Sequence, residues 1–164
     1  MNERIPMSIP FGWFQVAYSH DLAVAASMPL RYFDTDLVLF RTESGDARVL
    51  DAYCPHMGAH LGYGIRDQAG GGASVVGDSI VCPFHGWAYN GEGQCTNIPY
   101  ANNMPPRVAR GEQVIRPWPV RELNQVIYVW YHPRGLAPYF EPEHIAEADP
   151  ANAEWGTPKL HTWD

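Results

Sequence analysis

Ala52-Tyr53-Cys54-Pro55-His56-Met57-Gly58-Ala59-His60-Leu61 and Cys82-Pro83-Phe84-His85-Gly86-Trp87-Ala88-Tyr89 are the two stretches around which this chain is organised. Each offers one cysteine and one histidine, as Cys-x-His and then, 25 residues further on, Cys-x-x-His. A single intervening residue, Pro55, lets the Cys54 thiolate and the His56 imidazole face the same way from a tight bend. Pro83 does the matching job after Cys82, because proline fixes the backbone and withholds an N–H from any continuing ladder. Gly58 and Gly86 permit close backbone approach, so that peptide N–H groups face what the four donors hold. Two cysteines and two histidines from two loops suit a [2Fe-2S] cluster in which histidines replace two of the four cysteines on one iron. A Cys2His2 zinc module uses the same donors and is the alternative. A cysteine–histidine hydrolase dyad is a poorer account, since nothing explains why it should occur twice.

Outward from the loops, 15 glycines and 15 prolines punctuate runs rich in valine, isoleucine, tyrosine and tryptophan, the texture of many short strands. Gly12 to Tyr18 reads as a first strand, followed by a turn or short helix start at Ser19 to Leu22. Leu30 to Phe33 and Asp36 to Thr42 form a hairpin around Asp34-Thr35, and Arg48 to Tyr53 delivers the chain to Cys54. The glycine-rich stretch within Ile65 to Val76 is an inserted surface loop before a strand at Ser79 to Cys82. Asn90-Gly91 signals a hairpin, and Val114 to Val120 with Val126 to His132 are two closing strands. The prediction is a mostly β fold, and no amphipathic helix of three turns is evident.

The chain has 164 residues, enough for one domain with a real core. Its net charge of −7 opposes a nucleic-acid role, which calls for a basic surface. Arg107, Arg110, Arg116 and Arg121 make one local basic stretch, read either as a docking face or, more plainly, as a solvated edge. Neither a signal peptide nor an apolar run long enough to span a bilayer is present, which predicts a soluble cytoplasmic protein with no membrane partner. From Pro133 onward the composition shifts to five prolines and six acids without a long apolar run. Residues 133–164 therefore read as a Pro-rich acidic linker or docking tail after a domain at 1–132.

The stretch from Val49 to Pro99, through both loops and on to Gly93-Gln94-Cys95-Thr96-Asn97-Ile98-Pro99, resembles the Rieske domain of Rieske non-haem iron oxygenases, ring-hydroxylating and steroid-type. The resemblance implies a Rieske-type antiparallel β-sandwich with a smaller cluster-binding subdomain, about 53–99, inserted into it. It implies cluster ligation by Cys54 and Cys82 on an inner iron and by His56 and His85 on an outer one. Gly58, His60, Gly86 and Trp87 then form the surroundings of the ligands, and His85 is the electron exit. Respiratory Rieske proteins carry an added disulfide where this chain has Ala59 and Phe84, and a serine where it has Trp87. The loss of that hydroxyl predicts a low-potential cluster.

The oxygenases of this family also carry a mononuclear iron on two histidines and a carboxylate. No such triad is found in this sequence, where Glu141-Pro142-Glu143-His144 comes nearest, so no catalytic residue is assigned. Two readings stay open. The chain is the N-terminal Rieske domain of an oxygenase, passing electrons from a reductase or ferredoxin to an iron site elsewhere, in the family that of a neighbouring subunit. Alternatively, it is a stand-alone Rieske ferredoxin.

Overall fold

The structure, a computed structural model, describes residues 8–64 and 74–149. The glycine-rich run at 65–73 and the end of the acidic tail lie outside the described residues. In chain order the strands are β1 (Gly12–Tyr18), β2 (Ser27–Tyr32), β3 (Thr35–Arg41), β4 (Ala47–Asp51), β5 (Val75–Val76), β6 (Ser79–Val81), β7 (Ala88–Asn90), β8 (Cys95–Asn97), β9 (Pro117–Trp118), β10 (Val120–Leu123) and β11 (Val126–Tyr131). One helical turn, α1 (Pro106–Ala109), precedes β9.

These strands make three antiparallel sheets, ordered β1-β11-β10, β2-β3-β4-β9 and β5-β6-β7-β8. The third sheet lies in sequence between β4 and β9 of the second, so it is an insertion into a two-sheet sandwich. The middle sheet is covered on both faces, which explains the unbroken apolar run of β3. Leu37 and Leu39 point into a core shared with Val16, Ile127 and Val129 of the first sheet. Val38 and Phe40 point the other way, into a core shared with Ile80, Tyr89 and both motif cysteines. Alternate side chains of a strand face opposite ways, so one strand serves two cores.

Arg41, at the end of β3, fastens the sandwich. Its guanidinium donates to both carboxylate oxygens of Glu122 on β10, at 2.7 and 2.8 Å. It also donates to the carbonyls of Leu22, Gly45 and Ser19. Burial, the largest single influence, pushes the Glu122 carboxyl up, but hydrogen bonding and the Arg41 charge together outweigh it and hold Glu122 below the usual carboxylate range.

Several local expectations shift. The hairpin at Asp34-Thr35 turns instead on Phe33-Asp34, both at φ +55°, and β2 begins at Ser27. The Asn90-Gly91 hairpin forms with a wider loop, because Asn90 Oδ1 accepts the Gln94 N–H and Gly93 takes the left-handed position at φ +76°. The strand expected over Val114 to Val120 is split. Pro117 and Pro119 carry no N–H for a ladder, and the N–H groups of Val114 and Ile115 both go to the Gly93 carbonyl. The chain from Pro133 to Asp149 lies along the first sheet: the indoles of Trp13 and Trp130 donate to the Phe140 and Leu136 carbonyls, and Arg121 clasps Glu141. No helix among the described residues is long and apolar enough to cross a membrane.

Candidate metal centre

Both loops fold as the same turn. In the first, the Gly58 N–H donates to the Cys54 carbonyl (2.8 Å) and the Cys54 N–H to the Ala59 carbonyl (2.9 Å). In the second, the Gly86 N–H donates to the Cys82 carbonyl (3.0 Å) and the Cys82 N–H to the Trp87 carbonyl (2.7 Å). The fifth residue of each is a glycine at φ +74°, a conformation costly for any residue with a Cβ. The cysteine opens each turn, but the histidine sits third in one and fourth in the other. This offset is the structural content of the two different spacings.

Cys54 and Cys82 are both 3% exposed and belong to the core beneath the loops. Burial pushes the Cys82 thiol up, the backbone N–H groups of Phe84 and His85 at its sulfur pull it down, and the neighbouring Cys54 sulfur pushes it up again. The two sulfurs are therefore close partners. His56 and His85 lie nearer the surface, half-buried, with ring centroids 4.8 Å apart and planes at 64°. The donors thus sort by depth into a buried sulfur pair and an outer imidazole pair. Among the described residues no three His, Cys, Asp or Glu side chains converge on a single ion. A buried sulfur pair beneath an outer imidazole pair has the donor chemistry of a cluster with cysteines on one iron and histidines on the other.

The sequence places Trp87 and His60 near the turns, and the structure adds the specific contacts that it did not disclose. Tyr89, fully buried, places its hydroxyl 3.0 Å from Cys54 Sγ. Burial and the adjacent sulfur push its phenol far up, so it stays protonated and donates to a Cys54 thiolate. Trp87 itself stacks on His56, centroids 4.5 Å apart and planes within 8°. Phe84, 61% exposed, leans on His85 at 3.9 Å. His60 turns to Tyr53 and Tyr63, and its Nδ1 accepts the Gly62 N–H at 3.0 Å. Burial draws the His60 imidazole below its usual pKa. Cys95 is buried in the same core, its thiol pushed up by burial. The basic stretch carries internal partners: Arg107 and Arg110 both pair with Glu112, and Arg116 lies 4.0 Å over the Trp118 ring.

An antiparallel β sandwich with an inserted sheet, presenting two matched cysteine–histidine turns at one tip, defines a two-loop cofactor-binding domain. The chain belongs to the Rieske [2Fe-2S] domain family, whose model matches residues 12–119, and a [2Fe-2S] cluster is its cofactor. It is 38% identical to a 3-ketosteroid-9-alpha-monooxygenase oxygenase component of Rhodococcus rhodochrous, over 96% of this chain and 36% of that protein. It is 40% identical to a cholesterol 7-desaturase of Xenopus laevis, over 84% of this chain and 28% of that one. A crystal structure of dicamba monooxygenase with non-heme iron and dicamba superposes with a TM-score of 0.67 at 28% identity, covering 85% of this chain and 39% of that chain. The chain thus spans about a third of the length of these relatives.

Proposed function

We propose that Cys54, His56, Cys82 and His85 hold the cluster, and that the chain is the electron-entry domain of a steroid-type ring oxygenase. The observation that carries this reading is the pairing of two identical turns, with sulfurs buried and imidazoles outermost. When bound, the cluster supplies a one-electron couple tuned by the hydrogen bonds to its sulfurs and by its exposure. The apolar layer of Ile80, Tyr89 and Leu61 keeps water from the cysteine side. Peptide N–H groups of Phe84 and His85 aim at Cys82, and the Tyr89 hydroxyl aims at Cys54. Each donor places a hydrogen-bond dipole toward its sulfur.

His85 is the exit. It occupies the outer position of the second turn, flanked by exposed Phe84, so a partner docking there meets an imidazole and an aromatic ring together. The electron donor is a reductase or ferredoxin, and the acceptor is a mononuclear iron of an oxygenase catalytic domain outside this chain, possessed by the neighbouring subunit. The steroid assignment follows the relatives, which are named for a 3-ketosteroid and for cholesterol.

Analysis of the purified protein tests the ligand set. Iron and acid-labile sulfide in equal amounts, with a rhombic electron paramagnetic resonance signal after reduction, are expected. Colourless protein carrying stoichiometric zinc refutes the proposal.

A further inference from the structure

The segment after β8 carries a device unrelated to ligation. Ile98, 3% exposed, anchors a turn closed by the Ala101 N–H on the Ile98 carbonyl at 3.1 Å. Pro99 within it presses on the second loop so closely that a Cβ at Gly86 would lie 3.1 Å from its ring. The turn is therefore seated on the loop that bears His85. From it Tyr100, 58% exposed, accepts the Trp87 indole N–H at 2.6 Å. Trp87 in turn lies flat on His56, which belongs to the other loop.

A half-buried indole ordinarily has freedom to swing toward water. Here it is gripped on its edge by Tyr100 and on its face by His56. We propose that Tyr100 is a positioning residue for the redox site: by accepting the Trp87 N–H it locks that ring against His56 and so fixes the plane and the solvent cover of this imidazole. The inference rests on the cluster reading above. The effect is one-sided, since among the described residues His85 contacts Phe84 and His56 and no indole lies over it. One histidine is shielded, the other left to a partner.

The cluster-loaded protein, Tyr100→Phe, Trp87→Phe and the double variant test this by midpoint potential, by the g-values of the reduced state, and by ultraviolet resonance Raman of the indole, with Trp87→Phe as the subtraction reference. Tyr100→Phe is expected to weaken the Trp87 N–H hydrogen-bond marker, to move the g-values, and to raise the potential, because water admitted beside the imidazole stabilises the more negatively charged reduced state. Trp87→Phe shifts both redox readouts on its own, and adding Tyr100→Phe to it changes nothing further, the signature of a residue acting through another. Unchanged potential and g-values in Tyr100→Phe, or additive shifts in the double variant, overturn the proposal while the parent's rhombic signal stands. Absence of that signal in the parent refutes the cluster reading instead, and this inference with it.

Discussion

The Tyr89 hydroxyl lies 3.0 Å from Cys54 Sγ, inside the apolar layer that joins the inserted sheet to the sandwich. Its hydrogen bond stabilises negative charge at the sulfur, and more so in the reduced state. Tyr89→Phe removes the donor without opening a cavity. The midpoint potential is expected to fall by up to about 60 mV, a tenfold change for a one-electron couple. Protein-film voltammetry measures it, and an unchanged or higher potential contradicts the assignment.

His85→Ala is expected to abolish the rhombic signal and most bound iron, because a ligand is lost from the outer pair. The sandwich is stabilised by a separate core of Leu37, Leu39, Ile127 and Val129. Circular dichroism should therefore retain most of the β signal. Full retention of iron in this variant argues that His85 is no ligand.

Arg41→Met leaves three backbone carbonyls without their guanidinium donor and Glu122 without its partner. Glu122 is partly exposed, so solvent softens the loss, and a cost of about 2–3 kcal/mol is expected in denaturant melts. The pH dependence follows from sign. Glu122 is held below its unfolded value, so its contribution is present above roughly pH 4.3, the ordinary glutamate pKa, and is lost as pH falls through the lower folded value. Glu122→Gln should flatten that acid limb, and a melt series showing equal slopes in both proteins would count against the pair.

Gly93→Ala is expected to be severe, about 3 kcal/mol or more, since the backbone is left-handed and a Cβ would overlap the Ile115 carbonyl. Gly77→Ala is the control. That glycine is also left-handed, at φ +57°, but with open space around it, so a cost of only about 1–2 kcal/mol is expected. Similar melting temperatures for the two variants would show that backbone conformation, not the Ile115 contact, sets the cost.

Of the loops, the sequence carried a great deal. Cys54, His56, Cys82 and His85 stand at spacings with chemical meaning, and Gly58 and Gly86 mark the left-handed positions that close each turn. Strand β1 was legible at its full length because its ends coincide with local punctuation, Gly12 before and a turn after. The split of the strand expected over Val114 to Val120 was less visible. Its N–H groups are taken by Gly93, some 20 residues earlier, and no local pattern announces that partner.

What the sequence by itself determined is the two cysteine–histidine turns and the β character of the chain, since both depend on residues within a few positions of one another. The tertiary structure decided how the surrounding side chains engage those two turns. Tyr89 reaches Cys54 across 35 residues, Trp87 reaches His56 across the gap between loops, and Tyr100 holds Trp87 from a third segment. These contacts follow from how the inserted sheet folds back on the middle one, burying the sulfurs and leaving the imidazoles outermost. Burial and direction are properties of packing, and packing is not written at any single position of the chain.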